Sequence, residues 1–141
     1  KIDLIIRGIC CLVPGVKGVS DNIRGISIVD RYLEHARVFH FHHAGEEKVY
    51  FSSADFMTRN LSHRIETTFP IYDPAIKEKV IAFMKVQLED NTKARLLSDQ
   101  QSNAYFRGGS DLRIRSQEET YHMIKRELVM QAEAEKEEAA G

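Results

Sequence analysis

Apolar and polar residues follow two periods along this chain, and the period assigns the elements. Residues 2–6 (IDLII) are a short, β-branched run closed by Arg7 and Gly8. That is the pattern of a strand buried on both faces of a mainly parallel sheet. Residues 10–13 extend or bend it, and Pro14-Gly15 with Lys17-Gly18 mark a loop. Residues 23–29 predict a second strand, or a strand carrying a short helical turn. Residues 37–41 alternate, Gly45-Glu46-Glu47 turns and residues 48–51 return, which predicts a β-hairpin. Another strand is expected over 65–69, stopped by Pro70. Asp73 and Pro74 then open a helix as cap and first residue, with Ile76, Val80, Phe83, Met84 and Leu88 along one stripe. Residues 94–97 and 103–106 read as short strands around SDQQS at 98–102. Ser116 with Glu119 predicts a capping box on a last helix lined by Tyr121, Ile124, Leu128 and Val129. Its end, QAEAEKEEAAG, favours helix but has no apolar face and is expected to fray. There is no internal repeat, and the order of elements is an α/β pattern.

Composition narrows this picture. The chain has 141 residues, 43% hydrophobic and 29% charged, the mixture of one soluble globular domain of ordinary size. Formal net charge is −1, so no global field points to nucleic acid or membrane, and any anion site must be local. No apolar run is long enough to span a bilayer, and residues 1–18 carry no signal-peptide pattern. Cys10 and Cys11 are adjacent, a poor geometry for a mutual disulfide. They read as reduced, buried residues of a reducing compartment. The chain starts at Lys1 and enters a strand within two residues, which suggests the C-terminal piece of a longer protein.

Chemistry concentrates in IVDRYLEHARVFHFHHAGEEKVYFSSAD, residues 28–55. Strand alternation puts His35, Arg37, Phe39 and Phe41 on one face. A turn centred near Gly45–Glu46 would set Arg37 opposite Asp55 and Phe39 opposite Ser53. The polar groups then converge at the open end of the hairpin, with aromatic rings nearer the turn. The set suits phosphate. Histidine can contact a phosphoryl oxygen or exchange a proton near neutral pH. Arginine grips oxyanions with two prongs, and a serine hydroxyl adds a neutral donor. A carboxylate repels phosphate, so Asp55 reads as orienting His35 or Arg37.

His-x-Arg followed by Ser-Ser-x-Asp resembles the half-motif of the phospholipase D superfamily, with Arg37 where that family has lysine and Ser52 and Asp55 where it has glycine and asparagine. The wider stretches DLIIRGICCLVPGVKGVSDNIRGISIVDRYLEHARVF, VYFSSADFMTRNLSHRIETTFPI and DNTKARLL resemble the C-terminal, second phospholipase D-like domain of the bacterial long-chain polyphosphate kinases, over roughly residues 2 to 106. The resemblance implies an α/β fold with a mixed, mostly parallel sheet flanked by helices, as a domain over 1–112 followed by a helix and acidic tail over 113–141. It implies reversible transfer of the terminal phosphate of ATP to polyphosphate through a phosphohistidine in an upstream domain. It also implies that Arg7 in IIRG and His35 in YLEH contact the nucleotide, with His35 facing that phosphohistidine across a cleft. ATP or ADP, polyphosphate and the upstream domains of the same polypeptide would be the partners, with Mg2+ held upstream. The parent would be a cytoplasmic homo-oligomer, either free or peripheral to the inner membrane. The fragment alone would be inactive.

Other readings of these residues stay open. Arg37 either contacts phosphate or pairs with Asp55 or Glu34, and Ser53 and Asp55 read as shaping the site. Arg64 and Glu66 would share a face and pair, although Arg59 or Arg64 could extend a path for polyphosphate. His40 and His42 share a strand face, as a metal site would need. No cysteine or carboxylate at a convincing spacing completes that set, so they and His43 read as surface histidines. The glycines at 15, 18 and 25 match no common phosphate-binding loop. The rival functions are a phospholipase D-like phosphodiesterase half-site, which the absence of the lysine disfavours, and a non-catalytic polyanion-binding module.

Overall fold

The computed structural model describes residues 1–100, 102–108 and 111–140. Gln101 of the expected 98–102 turn and Gly141 of the tail lie outside the described residues. The chain forms two compact units, Lys1–Leu33 joined by the chain from Val86 onward, and Glu34–Lys85.

The first unit holds a three-stranded sheet of β1 (Ile2–Ile5), β2 (Ile23–Ile28) and β6 (Ala94–Leu97), in the order β1-β2-β6. β1 runs parallel to β2, and β6 is antiparallel to it. Ile26, Ile28 and Ala94 form the core, with Ile5, Leu88, Leu96 and Phe106 packed against them. Gly25 is required here because a Cβ would lie 2.9 Å from Pro14 Cγ and 3.1 Å from Leu97 Cβ. Residues 103–106 contribute one bridge, Tyr105 to Arg95, not a full strand. Helix α3 (Ser116–Ala140) closes the chain.

The second unit holds an antiparallel sheet of β3 (Val38–Phe41), β4 (Lys48–Ser52) and β5 (Thr68–Pro70), with a short helix α1 (Thr58–His63) between β4 and β5. Helix α2 (Pro74–Leu88) starts as expected: Asp73 Oδ1 accepts the backbone N–H groups of Ala75 at 2.8 Å and Ile76 at 3.0 Å. Its residues 74–85 belong to this unit and 86–88 to the other.

The α/β class stands, but only one of the four strand pairings is parallel. The parallel expectation came from the apolar run in β1. That strand is an edge, with Ile2 exposed and the other three residues only half-buried, so its apolar character does not reflect burial on both faces. The cysteines are free as expected, yet Cys10 is half-buried and Cys11 exposed. They sit in a segment without regular structure, where small apolar residues need not face a core.

The predicted capping box does not form. Ser116 is buried and turns to Asp90, donating its N–H at 2.8 Å and its hydroxyl at 2.7 Å to Oδ2. Asp90 Oδ1 accepts the N–H groups of Thr92 at 2.9 Å, Lys93 at 2.6 Å and Ala94 at 3.1 Å. One fully buried carboxylate therefore ties the turn before β6 to the start of α3. Burial alone would raise its pKa. The donors from Lys93, Ser116 and Thr92 outweigh that and hold it below the ordinary value.

Candidate functional site

The hairpin carries most of the expected groups, in a register different from the one expected. Val38 pairs with Phe51, Phe39 with Tyr50 and His40 with Val49. Arg37 is level with Ser52, whose N–H donates to the Arg37 carbonyl at 2.9 Å. The turn is centred earlier than expected because His43 and Ala44, at φ 41° and 56°, adopt left-handed backbone ahead of Gly45. The offset from the expected pairing is odd, so the return strand presents its other face. Tyr50 thus takes the place opposite Phe39 expected for Ser53, and Ser52 the place opposite Arg37 expected for Asp55.

Arg37 and Asp55 nevertheless meet. Asp55 lies beyond the end of β4, where the chain bends back, and Arg37 Nε donates to its Oδ1 at 2.7 Å. Arg37 Nη2 lies 2.7 Å from His35 Nε2. A guanidinium has no acceptor, so it donates to the ring nitrogen, which must carry a lone pair. In this arrangement the proton of the neutral ring sits on Nδ1. Asp55 is 3.8 Å from His35 Nε2, so the carboxylate orients the arginine and the arginine orients the histidine. The hydrogen bond from Arg37 holds Asp55 below the usual carboxylate range, and Asp55 in turn raises Arg37. His35 itself remains 65% exposed. Phe39 packs edge-on against Phe56, with ring centroids 5.5 Å apart, and Phe41 against Tyr50 at 6.0 Å. Phe39, Phe41 and Tyr50 lie nearer the turn than Arg37, as expected, whereas Phe56 comes from beyond the open end.

Ser53 does not join that face. Its hydroxyl donates to Glu66 and accepts the Thr67 N–H at 3.1 Å. Asn60, buried on α1, donates to the other Glu66 oxygen at 2.8 Å. The Ser53 and Asn60 donors lower the Glu66 pKa, with smaller contributions from the charges of Arg64 and Arg37. Glu66 therefore does not pair directly with Arg64 as expected, because two neutral donors occupy its oxygens. Arg59 and Arg64 are exposed. Their charges reach Asp55 and Glu66 only at longer range.

Arg7 belongs to the first unit. Ile6 N–H still pairs with the Ile26 carbonyl at 2.9 Å, and Arg7 follows it as an exposed residue at the carboxyl end of β1. That is where ligands gather on open α/β sheets. Asp30, past the carboxyl end of the parallel neighbour β2, is held by both prongs of Arg115 at 2.8 Å. Its side chain is only 2% exposed, and the Arg115 hydrogen bonds lower its pKa. Gln117 reads both backbone groups of Tyr32, at 2.9 and 2.8 Å. These contacts dock residues 30–32, just before His35 in sequence, onto the first turn of α3. Nothing in the spacing of 30, 32, 115 and 117 announced them.

His40 and His42 spend ring nitrogens on Glu47, His42 at 3.1 Å. Among the described residues no group of three or more His, Cys, Asp or Glu side chains is placed to hold a metal ion.

These stretches match known proteins. The family described as polyphosphate kinase C-terminal domain 2 matches residues 1–117. A polyphosphate kinase of Vibrio parahaemolyticus is 50% identical over 125 residues, 89% of this chain and 18% of that protein. The polyphosphate kinase of Escherichia coli is 47% identical over 124 residues, 88% of this chain and 18% of its own length. The crystal structure of polyphosphate kinase from Porphyromonas gingivalis superposes with a TM-score of 0.85 at 44% identity, covering 90% of this chain and 19% of that one. This chain thus spans under a fifth of the curated relatives named here. On the match of residues 1–117 and the shared fold, the chain belongs to the polyphosphate kinase C-terminal domain 2 family.

Proposed function

We propose that this chain, as residues 1–112 with a C-terminal helical extension over 113–141, contributes residues to a phosphotransferase site. That site moves the terminal phosphate of ATP reversibly onto polyphosphate. The observation that carries the reading is 50% identity over 89% of the chain to a protein named polyphosphate kinase. Phosphoryl transfer asks the protein for positioning and charge neutralisation more than for bond-making. Arg7 supplies a guanidinium for the outer phosphates of ATP. His35 offers its Nδ1–H to an oxygen of the phosphoryl group in flight, because Nε2 already accepts from Arg37. This favours a phosphate contact over proton transfer as the role of His35. Arg37 and Asp55 set the ring's orientation. The phosphorylated histidine, the magnesium ligands and the rest of the nucleotide site belong to upstream domains of a cytoplasmic, homo-oligomeric parent. When bound, Mg2+ would neutralise charge on the transferring phosphates.

The test uses the longer parent protein, assayed for polyphosphate synthesis from ATP. His35→Ala and Arg7→Ala should each lower turnover by about 100- to 1000-fold, the cost of one lost transition-state donor. Normal turnover in both variants overturns the assignment. A phosphodiesterase half-site is the second reading. It is set aside because Arg37, where a lysine would be needed, is committed to Asp55 and His35.

A further inference from the structure

A second cationic site lies in the first unit, and neither Arg7 nor His35 lines it. A cavity of about 440 Å³ is lined by Lys93, Arg107 and Arg113, by the carboxylate Asp111, and by Asn91, Thr92, Tyr105 and Leu112. Three cations and one carboxylate line it, and like charges sharing one cavity repel unless an anion joins them. Their internal compensation is weak. Arg113 makes no ion pair or hydrogen bond among the described residues. The carboxylate nearest Lys93 is Asp30 at 3.9 Å, already held by both prongs of Arg115. Arg107 meets a neutral carbonyl, that of Asn91 at 3.4 Å, and the Tyr105 ring.

The walls are fixed in advance. Asn91 donates to the Leu112 carbonyl and accepts the Ile114 N–H, both at 2.8 Å. These bonds pin the 112–114 segment to the turn that Asp90 holds in place. A preformed site orders little on binding, so more of its interaction energy appears as affinity.

We propose that this cavity grips a condensed phosphate chain, and that it discriminates for the chain rather than for a nucleotide base. The one aromatic face at hand, Tyr105, is already covered by guanidiniums, Arg95 at 3.6 Å and Arg107 at 4.9 Å from the ring centroid. A base therefore has no platform on which to stack. Sheet topology supplies the continuation. Ile5 pairs with Ile26, Ile26 with Leu96, and Ile28 with Ala94. The backbone at Arg7 and Lys93 thus lies at the same end of the sheet, beyond its two outer strands and two strand spacings or roughly 10 Å apart. A phosphate chain lying across that end of the sheet would touch Arg7 at one point and the Lys93, Arg107 and Arg113 cluster at the next. The inference rests on the proposed kinase reading for the physiological identity of the ligand, not for the binding itself.

Titration of the chain with tripolyphosphate, ADP and AMP at fixed ionic strength, followed by calorimetry and amide NMR, tests this. Tripolyphosphate should bind more tightly than AMP and shift amides over 91–93, 105–107 and 111–113. Arg107→Gln and Arg113→Gln should each weaken it about tenfold or more, the loss of one charge-assisted contact, with melting temperature unchanged. No binding by the unaltered chain, binding unchanged in both variants, or amide shifts confined to other residues each overturns the site. If tripolyphosphate binds as described while the parent makes no polyphosphate, the kinase reading fails and the site stands. If the parent is active and both variants bind normally, the reverse holds.

Discussion

Arg37 serves two partners at once. Nε holds Asp55 and Nη2 holds His35, which only a rigid planar fork can do. Arg37→Lys keeps the charge but reaches one partner at a time. We expect it to lower the parent's turnover by about tenfold to 100-fold through loss of positioning, with little change in the melting temperature of the chain. An unchanged rate would mean that His35 needs no such support. Asp90 makes the opposite case, a residue for stability. Replacing it with Ala strands several buried donors, each costing about 1–3 kcal/mol when left unpaired, so denaturant unfolding should show a loss of at least about 3 kcal/mol. Its folded pKa lies below the ordinary value of 3.8. Its contribution is therefore fully present above pH 3.8 and lost as pH falls through the lower folded value. Asp90→Asn should accordingly show a shallower decline in stability between pH 4 and pH 2 than the unaltered chain. The Arg37–Asp55 partnership was legible in the sequence because opposite charges stood at the two ends of one hairpin. The role of Asp90 was not, because an Asp-Asn-Thr turn signal says nothing about a serine 26 residues away. Ser116 and Glu119 instead suggested a local cap.

At the scale of elements, the alternation of 37–41 and 48–51 placed both strands of the hairpin to within a residue. It could not place the register. Register depended on His43 and Ala44 adopting left-handed backbone, a conformation that residue type alone makes improbable for alanine. One wrong centre then put Ser53 on the wrong face and hid its bond to Glu66. The Asp73-Pro74 helix start was legible because its capping chemistry is local. Burial was the harder quantity. Ile76 on the expected apolar stripe is half exposed, while Gln87 is buried. In β2, the crowding around Gly25 gives a direct test of the sheet. Gly25→Ala drives a Cβ against Pro14 and Leu97, and overpacking of this kind costs about 1–3 kcal/mol. Urea unfolding monitored by circular dichroism should show that loss. A neutral outcome would mean that the 14–22 loop moves aside at no cost.

Across the whole molecule a net charge of −1 conceals local excesses of positive charge. Lys93, Arg107 and Arg113 collect around one cavity of the first unit, while Glu residues dominate the end of α3. Phosphate affinity should therefore coexist with an inability to react. His35 offers no free nucleophilic nitrogen, because Nε2 accepts from Arg37 and the tautomer this fixes leaves the proton on Nδ1. The matched stretch is 18% of the Vibrio parahaemolyticus relative, so the proposed function expects the phosphoryl acceptor outside these 141 residues. We expect the 141-residue chain, incubated with γ-labelled ATP and Mg2+, to acquire no acid-labile phosphate, while the parent under the same conditions does. The comparison separates binding from chemistry, since the same preparation of the chain should still bind tripolyphosphate, and more weakly as salt rises past the range where charges are screened within about 10 Å. Label that appears on the isolated chain and disappears in His35→Ala would show that Arg37 releases the ring, and that His35 is a nucleophile rather than a contact.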